Sequence, residues 1–455
     1  MLCEEDNHGK DLRFTQLHGH TEENGELVEI HRPVKTEFEI GNVLSSMESA
    51  NMGATLMTAV EGSEFPLVGN LLSTMARIGL ALGCEKNRTN DFLGECLDHP
   101  IKPVVVQEAS CQENILLGED VDLSKLPIPR HAPKDGGPFI TGGVIVSRNP
   151  ETGVQNLSFQ RMQVKGKAKL GIMINEWRHL KDSLDIAEKR GEALPVSIVI
   201  GADPVVYIGA GLRYDGDEME IAGAIRGEAQ PVVKSVTSDI MVPATAEFVI
   251  EAEILPGVRE IEGPLSEFTG HYSTPWNSPV MHVKAITYRN SPVYQTICPG
   301  MAEHTILGNV LPREPLLKKH TRYVSKGVTN VHIPPYGCGF LALVQMHKKN
   351  PGEPKNVALA AMMTYVNIKN VVVVDEDVDI FNSSDVLWAL SNRVIPEKDV
   401  FYIHGAQGHE LDPSSDPRGV QTKMGIDATL SSEFDNRDYE RVVYPKVDLA
   451  DYLKY

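Results

Sequence analysis

Glu262 and Glu267 stand five residues apart in the stretch Ile261-Glu262-Gly263-Pro264-Leu265-Ser266-Glu267-Phe268-Thr269-Gly270-His271. On an unbroken strand an odd separation points two side chains to opposite faces. Gly263 permits unusual dihedrals, and Pro264 fixes φ and brings no N–H to a ladder, so the pattern predicts a strand that breaks or bulges here. Such a break carries both carboxylates to one side. Two acids facing one cavity push their pKa values apart, which suits an acid and a base. The same residues also fit a plain polar turn between strands.

A second candidate is Asn156-Leu157-Ser158-Phe159-Gln160-Arg161. Its polar and apolar residues alternate as on a strand, which sets Arg161 on the apolar side. A guanidinium is costly to bury without a partner. Either this is an edge strand whose Arg reaches solvent, or Arg161 pairs with the carboxylates at 262 and 267. Strict alternation also puts Asn156 and Arg161 on opposite faces, so one ligand meets both only if the strand twists or bulges. His179 and Glu218 fall near the starts of two expected helices, and each alone reads as a surface residue. Joined with Asn156 they form an O/N/O donor set that suits Mg²⁺ or Mn²⁺ better than zinc or copper. Spacing alone does not assemble them.

These residues need a scaffold, and 455 residues are too many for one ordinary core, so two or three domains are expected. Apolar residues make up 42% and charged residues 23%, as in water-soluble globular chains. The net charge of −19 argues against nucleic acid and against an anionic membrane surface. It also makes any buried Arg beside carboxylates conspicuous. The six cysteines form no CxxC pair, which reads as reduced thiols. The acidic first residues lack the apolar segment of a secretory signal, and no apolar run approaches a membrane span, so the expected compartment is the cytoplasm.

Along the chain, residues 9–35 read as a short helix and turn, 37–51 as a helix, 54–60 as a strand and 67–82 as a helix. Prolines at 100 and 103 mark a boundary. From 104 to about 291 the texture turns to β-branched strands, interrupted by helices at 176–190 and 217–225. A helix over 304–318 leads to a last α/β unit, whose run Asn370-Val371-Val372-Val373-Val374 is a buried strand. Residues 405–427 read as a loop and 442–455 as a docking arm. There is no internal repeat. Walker A and HExxH motifs are absent, and Gly209-Ala210-Gly211 lacks the third glycine of a dinucleotide fingerprint. Asp375, Asp377 and Asp379 mimic an EF-hand start, but Ile380 stands where Gly is required.

Taken in order, these pieces resemble the UbiD family of reversible, prenylated-FMN-dependent decarboxylases. The resemblance covers nearly the whole chain. It rests on residues 62–70, on 156–161, on Ile200-Gly201-Ala202-Asp203-Pro204, and on Glu218 with the following Ala222-Gly223-Ala224-Ile225-Arg226-Gly227. It continues through residues 242–247, Glu262…Glu267 with Thr269-Gly270-His271-Tyr272, residues 375–389, and residues 423–429. It implies a mixed α+β and α/β multidomain fold. A split β-barrel that binds the cofactor (104–300) lies between an N-terminal α/β module (1–103) and a C-terminal α/β oligomerisation domain (326–455), with a linker helix over 301–325.

The resemblance also implies roles. Glu262, Arg161 and Glu267 match the family's catalytic triad, with Glu267 as the proton donor. Asn156, His179 and Glu218 match its ligands for Mn²⁺ or Mg²⁺ against the cofactor phosphate, usually with K⁺ nearby. Phe159, Gln160 and Arg161 fall in the flavin-binding segment. His304 and Arg313 are candidate substrate contacts, though both also fit capping or surface positions on the linker. The implied partners are a small carboxylic acid and CO₂, a flavin prenyltransferase that supplies the cofactor, and further copies of the chain as a homodimer or hexamer. Some members carry a Lys near the cofactor where this chain has Met362-Met363-Thr364-Tyr365. Two other readings stay open at this point: a plain FMN oxidoreductase on a split barrel, and a non-catalytic flavin-binding subunit of a decarboxylase complex.

Overall fold

The computed structural model describes residues 26–175, 178–409, 411–416 and 418–431, together with Arg441, Val442, Tyr444, Pro445, Val447 and Tyr452. The helix expected before residue 26 and most of the arm expected over 442–455 lie outside these residues. The N-terminal unit runs through strand β1 (Leu27–Ile30), helix α1 (Glu39–Ser49), strands β2 (Ala54–Met57) and β3 (Leu67–Gly69), and helices α2 (Met75–Leu82) and α3 (Thr89–Asp98). The helix expected over 67–82 is therefore a strand followed by a shorter helix. Leu67, Val68 and Gly69 are fully buried between neighbouring strands, so tertiary pairing overrides the local pattern. Thr74 caps α2 by accepting the Arg77 N–H, and Gly83 at φ 64° ends it.

The central unit holds strands β4 (Val104–Val105), β5 (Asn114–Leu117), β6 (Phe139–Ile140), β7 (Gly143–Arg148), β8 (Gln155–Phe159), β9 (Met162–Gly166) and β10 (Lys169–Ile172). Helix α4 (His179–Arg190), strand β11 (Leu194–Ile200), and helices α5 (Pro204–Gly211) and α6 (Glu218–Arg226) follow. Strands β12 (Pro231–Lys234), β13 (Met241–Pro243), the long pair β14 (Phe248–Glu262) and β15 (Trp276–Tyr288), and β16 (Tyr294–Gln295) complete it. One nine-stranded sheet dominates, in the order β6-β9-β10-β15-β14-β11-β7-β8 with β5 on β15, and it curls into a half-barrel. Its central strands are buried on both faces. Val144, Val146 and Val199 join the core shared with α5 and α6, while Ile145, Ile198 and Ile200 join the core on the other face. Register shifts along the β14–β15 ladder add to the bend.

The linker expected as one helix is three pieces: α7 (Ala302–Thr305), a π-helical turn (Ile306–Val310) and α8 (Glu314–Val324). The C-terminal unit comprises β17 (Val328–His332), β18 (Leu341–Met346), α9 (Glu353–Thr364), β19 (Asn370–Asp375), α10 (Ser383–Arg393), α11 (Pro396–Asp399), β20 (Val400–Gln407) and β21 (Val420–Asp427). Its sheet runs β17-β18-β19-β21-β20, with β19 parallel to both neighbours. Val371 and Val373 face one core, Val372 and Val374 the other. The stretch expected as a loop over 405–427 holds the end of β20 and all of β21, whose Gly and Asp residues hid the β pattern, while the described residues between the two strands are turns and bends as expected. The acidic run is a structural corner: Arg393 bonds Asp375 at 3.2 Å and Asp377 at 2.6 Å. Among the described residues no helix is long and apolar enough to cross a membrane.

Candidate active site

Gly263 and Pro264 end β14 immediately after Glu262, as the residue pattern predicts. Gly263 takes φ 92°, and its peptide bond to Pro264 is cis. The chain then turns through Leu265 and Ser266, and Glu267 comes back to the same side as Glu262. Opposite them, the strand carrying Asn156 also breaks. Gln160 and Arg161 occupy the gap between β8 and β9, which removes the strict alternation that would have set Asn156 and Arg161 on opposite faces.

Arg161 is the meeting point. Its Nε and Nη2 donate to the two oxygens of Glu262 at 3.0 and 2.9 Å, a bidentate pairing. Its Nη1 donates to Glu267 Oε1 and to Ser273 Oγ, the latter at 3.0 Å. Glu262 is fully buried and Glu267 is 8% exposed. Burial raises the pKa of both carboxyls, against the pull of Arg161, and Glu267 pushes Glu262 further the same way. One guanidinium faces two buried carboxylates, so a proton on one of them neutralises the set. Strand β8 does lie at an edge of the sheet, but Arg161 after it turns to the two carboxylates and does not reach solvent.

Asn156, His179 and Glu218 also converge. Asn156 lies on β8, His179 opens α4 and Glu218 opens α6. Asn156 Nδ2 donates to Glu218 Oε1 at 2.8 Å and lies 3.4 Å from His179 Nδ1. The Leu157 backbone N–H donates to Glu218 Oε2 at 2.7 Å. Glu218 is 3% exposed, and burial, with Asp217 adding to it, pushes its pKa up to about 8. No described cation offsets that charge. A hard divalent cation would, and turning the Asn156 amide over presents Oδ1 to it. Among the described residues no cluster of three or more His, Cys, Asp or Glu side chains forms a denser site. The donor set fits Mg²⁺ or Mn²⁺.

A cavity of about 190 Å³ opens beside Arg161 and Glu267, and Phe159, Gln160, His304 and Arg313 line it. The π-helical turn brings Leu307, Gly308 and Asn309 to its wall, and the C-terminal unit adds Asn367, His409 and Leu411. Phe268 packs edge-on against both His304 and His409. Gly300 N–H donates to His304 Nδ1 at 3.2 Å. Burial, and Arg161, hold the His304 pKa down to about 4. A neutral ring whose Nδ1 accepts carries its proton on Nε2.

The chain matches three family models in sequence: the 3-octaprenyl-4-hydroxybenzoate carboxy-lyase N-terminal domain over residues 19–97, its Rift-related domain over 102–302 and its C-terminal domain over 306–428. The chain belongs to the UbiD family of decarboxylases. An anhydromevalonate phosphate decarboxylase of Methanothermobacter thermautotrophicus is 35% identical over 407 residues, 89% of this chain and 94% of that one. Among solved structures, the UbiD-class enzyme HmfF from Pelotomaculum thermopropionicum in complex with FMN superposes with a TM-score of 0.93 at 36% identity, covering 97% of this chain and all of that one. The 3,4-dihydroxybenzoic acid decarboxylase AroY of Klebsiella pneumoniae gives 0.90 at 30% identity, covering 97% and 98%. The UbiD-class fold and carboxy-lyase membership expected from the sequence are therefore established.

Sequence reasoning missed Ser273, Asp135, Asn367 and His409. Asp135-Gly136-Gly137-Pro138 is a turn signal that could have drawn attention. Nothing in the local pattern marks Ser273, Asn367 or His409.

Proposed function

We propose that this chain catalyses the reversible, non-oxidative decarboxylation of an aromatic, heteroaromatic or α,β-unsaturated carboxylic acid with prenylated FMN. The observation that carries this reading is the buried Glu262–Arg161–Glu267 set on a cavity. Glu262 takes two N–H donors from Arg161 and Glu267 takes one, and one proton on the pair of carboxyls neutralises the set. Glu267 lines the cavity and is the proton donor. Glu262 holds the guanidinium in place. The remaining Arg161 N–H is free for the substrate carboxylate or the edge of the cofactor.

The cofactor assignment draws on HmfF, which is described in complex with FMN and, in an evolved dimeric form, with prenylated FMN. Asn156, His179 and Glu218 would hold Mn²⁺ or Mg²⁺ beside its phosphate, and Phe159 and Gln160 would meet the flavin. Loss of CO₂ from an sp² carbon leaves an electron pair with no place to delocalise, and the prenylated flavin supplies that sink when bound. The carbon–carboxylate bond breaks, its electron pair stays with the substrate carbon, and the Glu267 proton goes to that carbon. Solvent then returns a proton to Glu267.

Co-expression with a flavin prenyltransferase, followed by a visible spectrum and CO₂ release from a panel of carboxylic acids, tests the proposal. Loaded protein releases CO₂ from at least one acid, and Glu267→Gln abolishes it. Release from none, or full activity in Glu267→Gln, sinks the assignment.

A further inference from the structure

Three buried side-chain N–H groups on the cavity wall have no hydrogen-bond partner among the described residues: Gln160 Nε2, Arg313 Nη1 and Asn367 Nδ2. All three are donors. A buried unpaired donor is costly, so a wall of them is built for a ligand rich in acceptors. Gln160 adjoins Arg161 and belongs to the end where the acid reacts. Arg313 and Asn367 reach the same wall from the linker and the C-terminal unit. The Arg313 guanidinium lies 5.7 Å from the Tyr365 ring centre, the Tyr365 hydroxyl donates to Pro312 O at 3.2 Å, and Asn367 follows two residues on.

The charge there is uncompensated. Among the described residues no carboxylate pairs with Arg313, and burial, with repulsion from Arg178, brings its pKa down to about 10. His409 on the same wall is held down to about 4 by burial and by Arg313 and Arg178, so it brings no charge there near pH 7. In a chain of net charge −19, an unpaired arginine facing a cavity needs an anion from outside. The loop over it is shaped for close approach. Gly339 sits at φ +72°, and a Cβ there would stand 2.9 Å from both Arg313 Nη1 and Asn309 Oδ1.

We propose that Arg313 and Asn367 form a second anion subsite, so that the acid decarboxylated beside Glu267 carries a further anionic group, carboxylate or phosphate, at its far end. This rests on the decarboxylase reading above.

Matched acids test it: cinnamate against 4-carboxycinnamate, and anhydromevalonate against its phosphate. Each is titrated calorimetrically into prenyl-FMN-loaded Glu267→Gln protein, which allows binding to be read without turnover. One doubly anionic acid binds at least 50-fold tighter than its singly anionic partner. The dicarboxylate and phosphate arms decide which group is accepted. Arg313→Met reduces that ratio below fivefold, and Arg313→Lys keeps an intermediate value. Asn367→Ala, which keeps the cation, lowers the ratio as well and serves if Arg313→Met does not fold. Equal binding within both pairs, no binding of either doubly anionic acid, or an unchanged ratio in the folded variants overturns the subsite. CO₂ release by wild-type protein on any acid judges the decarboxylase reading separately.

Discussion

Asp135 Oδ1 accepts the backbone N–H of Ser266 at 3.0 Å, one residue before Glu267 and across 131 positions of chain. Its other oxygen accepts the Ala132 N–H at 2.8 Å, and the carboxylate is fully buried. The neighbouring Gly136 N–H donates to Pro264 O at 2.7 Å, and a Cβ on Gly136 would stand 2.2 Å from Gly263 O. The loop around Asp135 therefore clamps the strand break that presents Glu262 and Glu267. Asp135→Asn turns an amide N–H toward a backbone N–H, so Ser266 or Ala132 loses its acceptor. Misplacing a catalytic group by ~1 Å costs on the order of 100-fold. Single-turnover CO₂ release should fall ~10- to 100-fold with the fold retained by circular dichroism. Full activity would mean that the clamp positions nothing.

Glu267→Gln removes the proton but keeps the size of the side chain and an oxygen for Arg161 Nη1. Arg161 still has its bidentate partner in Glu262. General-acid loss costs roughly 10²–10⁴-fold in turnover, while the melting temperature stays close to that of the parent. Glu262→Gln differs, because it strips the fully buried carboxylate that holds the guanidinium, and both stability and turnover should drop. A Glu262→Gln protein as stable as Glu267→Gln would contradict the division of roles.

The sequence reveals these residues unevenly, and the reason is physical. A Gly-Pro pair acts on its own backbone, so the break after Glu262 is legible locally. The alternating run from Asn156 marks a strand, but its end before Arg161 depends on where β9 finds its partners. Asn156 and Glu218 meet 62 residues apart, and only the family resemblance joined them. Asn367 and His409 reach the cavity because the C-terminal unit packs against the linker, a contact with no local signature. The end of β20 and strand β21 were missed because period-two alternation fades where Gly and Asp interrupt it.

Gly339→Ala tests the packing around Arg313. Alanine at φ +72° is strained by about 1–2 kcal/mol, and its methyl meets Arg313 Nη1 and Asn309 Oδ1. The guanidinium must shift. Substrate KM should rise ~10-fold with a smaller change in kcat, since Arg161, Glu262 and Glu267 are untouched. A drop in kcat alone would show that the loop serves the proton transfer instead.

Glu303 gives the fold a pH dependence that can be read without substrate. It lies in α7 beside the cavity segment, fully buried, and its Oε1 accepts the Leu72 N–H at 2.7 Å. Burial is the largest influence and pushes its pKa up to about 7 from 4.5, with Glu48 pushing the same way and Arg77 opposing. The folded state thus binds a proton that the unfolded state has released between those values. Its contribution is fully present below pH 4.5 and is lost as pH rises through 7, with a slope of about 1.4 kcal/mol per pH unit for one proton. Glu303→Gln keeps the acceptor for Leu72 and removes the titration. Between pH 5 and 7, urea unfolding should therefore show the parent losing about 1 kcal/mol of stability per pH unit relative to Glu303→Gln. Identical slopes in the two proteins would mean that Glu303 is ionised in the fold, with Arg77 outweighing burial.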